Sequence, residues 1–105
     1  MSDINVMRAD RWLARAAGLI FRKKLKKKEV LWLLPCNAVH TIGMRYCIAL
    51  YFLDQHHNVI RVISSLKPFR FAWCRQAVSV VETLATDKLT ARDMELAIKL
   101  WLDDI

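Results

Sequence analysis

Apolar and polar positions alternate in several short segments of the chain, and this pattern predicts strands. EVLWLLP, residues 29–35, has no helical period and ends at Pro35, which cannot donate to a sheet ladder. YCIALYFLD, residues 46–54, is apolar on both faces, so we expect a central strand covered on both sides. HNVIRVIS and QAVSVVET, residues 57–64 and 76–83, predict two further strands. Pro68 interrupts KPFRFAWCR, which is therefore irregular or an edge strand.

Helical spacing occurs near the two ends of the chain. In MRADRWLARAAGLIFR, apolar residues recur on one face opposite three arginines, which predicts a helix from about Val6 to Ala17. In LTARDMELAIKLWLDDI, Thr90 and Asp93 have the spacing of a capping box. The apolar residues that follow recur at helical intervals, so a C-terminal helix is predicted over residues 90–103.

The order helix, strands, helix predicts the fold class. Short links between strands favour antiparallel pairing, and residues 54–58 have the composition of a hairpin loop in which His57 or Asn58 takes a positive φ. We therefore expect one domain over residues 1–105, a mainly β (α+β) fold. Its predicted form is a compact antiparallel β-sandwich or barrel with an N-terminal helix and a C-terminal helix.

Composition narrows the class of protein. Apolar residues make up 55% of the chain, and only two glycines and two prolines occur, which argues against disorder. No apolar run reaches the roughly 18 residues of a membrane span. The chain begins without the apolar stretch of a secretory signal, and its three cysteines do not suggest a disulfide framework. We expect a cytoplasmic protein with free thiols, as a monomer or weak dimer.

The net charge is +7, and much of the excess lies in one short run. Six of the seven residues in RKKLKKK are basic: Arg22, Lys23, Lys24, Lys26, Lys27 and Lys28. Like charges this close repel one another, so a solvated loop is the favoured interpretation. Contact with RNA, DNA or anionic lipid is the alternative, because a basic patch favours polyanions without sequence specificity.

Reactive side chains are concentrated between Cys36 and Arg45. Cys36 and His40 could form a nucleophile and base, but a spacing of four suits that pair only in a helix, which Pro35 and Gly43 disfavour. They are thus weak catalytic candidates, with Cys36 expected to pack as a small apolar residue. A metal site would add His56, His57 or Cys74, yet no close ligand pair occurs. We expect neither a metal nor a cofactor.

Arg45 has two interpretations. It could pair with Glu82, the acid inside an otherwise apolar strand, because a charge beside a buried strand is costly unless paired. It could also bind an anionic ligand, since the guanidinium suits carboxylates and phosphates. The ion pair is favoured. The residues predicted to face a ligand are His40, Thr41, Met44 and Arg45.

Three aromatic residues, Phe69, Phe71 and Trp73, occupy alternate positions in a basic segment. If that segment is a strand, their rings share one face, which could stack nucleic-acid bases. Burial of the rings is the more common outcome.

An ordered set of motifs gives a family resemblance: Pro35-Cys36, Val39-His40-Thr41, Gly43-Met44-Arg45 and Phe52-Leu53-Asp54. With ARAAGLIFR upstream and SVVETLA downstream, residues 14–85 resemble the bacterial domain-of-unknown-function family 192. The resemblance implies a compact β-sandwich or barrel with a short helix near the start, and no established activity. The chain departs from the family pattern at Cys47-Ile48-Ala49, where Pro-Ile-Asp is usual, and at His57, where Gly is usual.

Taken together, these features predict a small soluble protein that works as a non-catalytic binding or accessory module. Its partner, an unknown ligand or protein, would contact the surface around His40 and Arg45. An enzyme using Cys36 with His40 is one alternative. A protein that contacts nucleic acid through its basic run is the other.

Overall fold

A computed structural model describes residues 4–10 and 25–104 of the chain. Within these ranges it has seven strands: β1 (Asn5–Asp10), β2 (Glu29–Leu34), β3 (Ala38–His40), β4 (Ile48–Leu53), β5 (Val59–Leu66), β6 (Phe71–Trp73) and β7 (Ser79–Leu84). A 3-10 turn, Ala85–Asp87, leads to the helix α1, Ala91–Asp103. The predicted mainly β fold with a C-terminal helix is confirmed.

Five of the strands form one sheet in the order β1-β2-β7-β4-β5. β2, β7, β4 and β5 pair with their neighbours antiparallel, as predicted, but β1 is parallel to β2, so the sheet is mixed. The two outer strands, β1 and β5, do not pair with each other. The prediction of a barrel is therefore wrong, because a barrel requires its first and last strands to close the ladder.

The predicted N-terminal helix is also wrong over the part of it that the structure describes. Residues 5–10 extend along the edge of β2, with Asn5 opposite Glu29 and the Asn5 N–H donating to the Lys28 carbonyl at 2.9 Å. Helical spacing is a local signal, and the unpaired edge of β2 offers this segment backbone partners that the local signal does not register. The remainder of the predicted helix, residues 11–17, lies outside the described residues.

The sheet is covered on both faces. On one face, Met94 and Ile98 of α1 pack with Trp32 and Tyr51. On the other face lies a two-stranded ribbon of β3 and β6, which adds Val39 and Ala72 to a second core cluster. β4 runs between these layers with all six residues buried, as predicted for a central strand covered on both sides.

The predicted capping box at the start of the C-terminal helix and the predicted positive φ in the hairpin loop are both confirmed. Thr90 is the N-cap of α1: its Oγ1 accepts from the Asp93 N–H at 3.0 Å, and the Asp93 carboxylate accepts from the Thr90 N–H at 2.8 Å. In the hairpin between β4 and β5, His57 takes a φ of 67°. Histidine tolerates this left-handed conformation less easily than glycine does, so the hairpin carries some local strain.

Candidate functional site

The β3–β6 ribbon has an inner and an outer side. In the antiparallel register Ala38 lies opposite Trp73, and His40 lies opposite Phe71, while the central pair of Val39 and Ala72 is buried. Because side chains alternate along a strand, the four flanking residues project away from the sheet. The outer side of the ribbon is therefore a surface built from two aromatic rings, an imidazole and a methyl group.

Thr41, directly after β3, joins the ribbon to the turn that precedes β6. Its fully buried Oγ1 donates to the Lys67 carbonyl at 2.7 Å and accepts from the Arg70 N–H at 2.9 Å. Its backbone N–H donates to the Arg70 carbonyl at 2.9 Å, and its carbonyl accepts from the Phe69 N–H at 3.0 Å. The hydroxyl thus has partners within the protein, and Thr41 positions the 67–70 turn instead of facing solvent.

The other residues of the predicted ligand-facing cluster separate. His40 is half-buried on the outer side, its Nδ1 accepting from the Ile42 N–H at 3.3 Å and its ring centroid 6.1 Å from that of Phe71. This hydrogen bond places the proton of the neutral ring on Nε2. Met44 packs against the core under the ribbon, and Arg45 is exposed. The structure therefore leaves His40 and Arg45 accessible.

Cys36 and His40 lie in different environments. Cys36 is 5% exposed, packs in the core cluster beneath the ribbon, and donates its Sγ–H to the Ala38 carbonyl at 3.1 Å. His40 lies on the outer side of the same ribbon. The two side chains lie on opposite sides of β3, whereas base-assisted nucleophilic attack requires them within hydrogen-bond reach.

Glu82 and Arg45 occupy different environments. Glu82 is 1% exposed and lies in β7 between Leu31 of β2 and Leu50 of β4, on the face that the ribbon covers. Arg45 is exposed in the connection from β3 to β4. An ion pair between them would require the Arg45 guanidinium to reach from this connection into the interior, where Glu82 lies. The pair stays a prediction.

The end of the basic run that the structure describes is a tight turn. Lys26 and Lys27 are exposed, and the Lys26 N–H donates to Glu29 Oε1 at 2.7 Å. Lys28 takes a φ of 62°, and its N–H donates to Asp87 Oδ2 at 2.8 Å. Two carboxylates thus accept from the backbone of this turn. Three further residues of the run, Arg22, Lys23 and Lys24, lie outside the described residues.

The hairpin histidines sit around a structural carboxylate. Asp54 Oδ1 accepts from the Asn58 N–H at 3.0 Å and from the His56 N–H at 2.8 Å. The hydrogen bond from the Asn58 backbone, reinforced by that from His56, holds the pKa of Asp54 below its usual value of 3.8. His57 packs edge-on against Trp32, with ring centroids 5.7 Å apart. Over residues 4–10 and 25–104, no three His, Cys, Asp or Glu side chains are arranged to hold a metal ion.

The three aromatic residues of the segment FRFAW are the most exposed large apolar side chains among those described. Phe69 is 64% exposed, Phe71 is 66% and Trp73 is 64%. Phe69 takes a φ of 61°, unusual for a bulky residue, and its N–H is tied to Thr41. In the sequence, only the alternate positions of the three rings in a basic segment indicated this surface. Rings spaced in this way are more often buried.

Within the described part of the chain, no helix is both long and apolar enough to cross a membrane. The one α-helix described there, α1, has 13 residues and polar side chains along one side.

Two crystal structures share this fold. A protein of unknown function from Novosphingobium aromaticivorans DSM 12444 superposes with a TM-score of 0.62 at 17% identity, over 75% of this chain and 61% of that one. This chain thus spans less than two thirds of that protein. A "putative transcription regulator" from Sinorhizobium meliloti 1021 superposes with a TM-score of 0.65 at 13% identity, over 78% of this chain and 69% of that one. At these identities the likeness shows the fold alone.

Sequence comparison identifies the family. No curated protein matches the chain. The model of the uncharacterised family DUF192, described as "Uncharacterized ACR", matches residues 1–98, which include the ribbon, the Thr41 corner and β7. The resemblance seen in the ordered motifs around His40 is thereby confirmed, and the chain belongs to the DUF192 family.

Proposed function

We propose that this protein is a non-catalytic binding module whose contact surface is the outer side of the β3–β6 ribbon, extended by the loop that carries Arg45. The observation that carries the proposal is the exposure of Phe69, Phe71 and Trp73, each about two-thirds open to solvent. Exposed apolar side chains scattered singly are common, but three exposed aromatic rings within five residues of the chain are typical of a contact surface.

The surroundings of these rings support a built surface. Inward-facing Val39 and Ala72 fix the ribbon to the sheet, and Thr41 fixes its entry turn. At the other end, Arg61 Nη1 donates to the Trp73 carbonyl from β5. Since the backbone on both sides of the rings is held, the rings are presented to a partner without reorganisation of the ribbon, which lowers the entropic cost of binding.

An enzyme using Cys36 and His40 is the weaker candidate, because the thiol and the imidazole lie on opposite sides of the ribbon. The sulfur of Cys36 also serves as a donor to Ala38. We place the protein, as one domain, in the cytoplasm, where its three cysteines, none of which forms a disulfide in the structure, would stay reduced. The transcription-related name of the S. meliloti structure concerns that protein and, at 13% identity, adds no weight here.

Photo-crosslinking in a bacterial host tests the contact surface. A benzoylphenylalanine replaces Phe71 in one variant and Leu100, an exposed apolar residue of α1, in a matched control. We expect a discrete adduct from position 71, weakened by Trp73→Ser, unchanged by Cys36→Ala, and not formed from position 100. Equal labelling from both positions, or no adduct from position 71, would refute the proposal. Loss of the adduct in Cys36→Ala would instead favour the enzyme.

A further inference from the structure

Within the proposed binding function, we infer that the ribbon takes single-stranded nucleic acid, with bases stacked on Phe71 and Trp73 and phosphates held by the surrounding cations. This inference rests on the proposed contact surface and names its ligand class. Three observations carry it: the spacing of the rings, the imidazole of His40 beside them, and the charge of the segment that presents them.

The spacing of the rings suits bases. Phe71 and Trp73 are two residues apart on β6 and project on the same side. At about 3.3 Å per strand residue, their Cα atoms are separated by roughly 7 Å. That is about twice the 3.4 Å rise between stacked nucleotides, so bases along one strand can match the spacing of the two residues. Every base has a π-face, and such contacts are therefore tolerant of sequence.

The imidazole of His40 enlarges this surface. It lies opposite Phe71 in the register, and the two ring planes are inclined at 56°. With Nδ1 occupied by the Ile42 N–H, the outer Nε2–H is a donor for a base edge or a phosphate oxygen.

Residues 1–35 carry the basic run, and the charge of the remaining chain is segregated along the sequence. Residues 36–81 contain five arginines and lysines and one carboxylate, Asp54, whereas residues 82–105 contain six acidic and three basic residues. The first segment includes both strands of the ribbon, and the second includes α1, on the other face of the sheet. A polyanion is thus favoured on the ribbon face and disfavoured on the helix face.

The cations of the ribbon face lie close to the rings along the chain. Lys67 and Arg70 belong to the turn that Thr41 fixes, directly before Phe71, and Arg75 follows Trp73 by two residues; all three are exposed. Arg70 Nη1 donates to the Phe69 carbonyl at 3.2 Å, which leaves other guanidinium donors for a phosphate.

Single strands fit this surface better than the other polyanions or a protein. In a duplex the bases stack on one another, so the rings could touch only the outside of the helix. A protein partner for so basic an aromatic patch would have to be acidic, and it would not need rings at the spacing of a base. Single-stranded nucleic acid uses the cations and the rings together.

Fluorescence anisotropy with labelled (dT)20 and (rU)20 tests the inference on the full chain, with a 20-base-pair duplex and polyphosphate as competitors. We expect a Kd on the order of micromolar at about 50 mM salt, with log K falling against log salt by about 0.7 for each phosphate contacted. The two oligonucleotides distinguish DNA from RNA. Trp73→Ser should weaken binding about 5- to 150-fold, the range for loss of one stacked base.

Two matched variants control for hydrophobicity and charge. Leu100→Ser and Arg92→Gln remove an exposed apolar side chain and an exposed cation from α1, and both should bind as the unchanged protein does. Arg75→Gln should reduce the salt slope by about 0.7. Since all four substituted side chains are exposed, circular dichroism should show the native fold in each variant.

Three results would overturn the inference. The first is no binding at low salt. The second is that polyphosphate competes for the site as well as (dT)20 does and Trp73→Ser leaves binding unchanged. Binding of that kind would be ion exchange alone. The third is binding abolished by Lys26→Gln with Lys27→Gln but not by Trp73→Ser, which would assign contact to the basic run. A different result is a crosslinked adduct from position 71 that protease degrades and nuclease does not, together with no oligonucleotide binding. It would support the contact surface and overturn the nucleic-acid inference, because the partner would then be a protein.

Discussion

Thr41→Val is the sharpest test of how the ribbon is held. The substitution keeps the shape of the side chain but removes a fully buried hydroxyl that donates to the Lys67 carbonyl at 2.7 Å and accepts from the Arg70 N–H at 2.9 Å. Each such hydrogen bond contributes about 0.5–1.5 kcal/mol net, and partners left unsatisfied add to the loss. We expect Thr41→Val to lower the free energy of unfolding by about 2–3 kcal/mol.

Thr41→Ser is the matched control, since it keeps the hydroxyl and removes one methyl group, at a cost of about 1 kcal/mol. Urea unfolding followed by circular dichroism measures both values. Amide hydrogen exchange supplies a local readout: the Arg70 and Phe69 N–H groups should exchange faster in Thr41→Val and remain protected in Thr41→Ser. If valine costs no more than serine, or if exchange in this turn is unchanged, Thr41 does not hold the ribbon as described.

Three further predictions concern ionisable groups. Burial raises the pKa of Tyr51 above its ordinary 10.0, so the unfolded chain loses the phenolic proton first and stability falls as pH rises above 10. Unfolding curves measured at alkaline pH should show a smaller loss of stability for Tyr51→Phe than for the unchanged protein. The hydrogen bond from the Asn58 backbone lowers the pKa of Asp54 below 3.8, so the contribution of ionised Asp54 to stability is present above about pH 4 and is lost as the pH falls below that value. The difference in unfolding free energy between the unchanged protein and Asp54→Asn should therefore shrink towards pH 2. A difference that stays constant with pH would contradict this. A double-mutant cycle with Arg45→Met and Glu82→Gln should give a coupling of about 1 kcal/mol or less because Arg45 is exposed; more than about 3 kcal/mol would mean a buried pair.

The strands with the clearest apolar patterns were predictable because their signal is local. β4 reads as apolar on both faces, and the structure buries all six of its residues between α1 and the ribbon. Thr90 and Asp93 mark the start of α1 through side chains that bond to the adjacent backbone, so four residues of sequence suffice to predict the cap. The prediction of a central strand and of a capped helix needed no knowledge of distant partners.

The candidate site was predicted only in part. The motifs around His40 led to the correct family. They did not separate Thr41, which bonds to the Lys67 carbonyl 26 positions away, from His40, which lies on the outer side. Whether Phe71 and Trp73 are buried or exposed depends on what covers the ribbon, and no local pattern contains that information.

The amino-acid sequence by itself determined β2, β4, β5 and β7, the C-terminal helix and the membership of the family. Each of these depends on side-chain order over a few neighbouring residues or on motif order. Tertiary structure alone decided that residues 5–10 join the edge of β2 instead of beginning a helix, and that the sheet stays open. It also decided that three aromatic rings face solvent beside Lys67 and Arg70. These outcomes depend on contacts between residues far apart in the chain, whose free energies outweigh the local preferences of the segments they join.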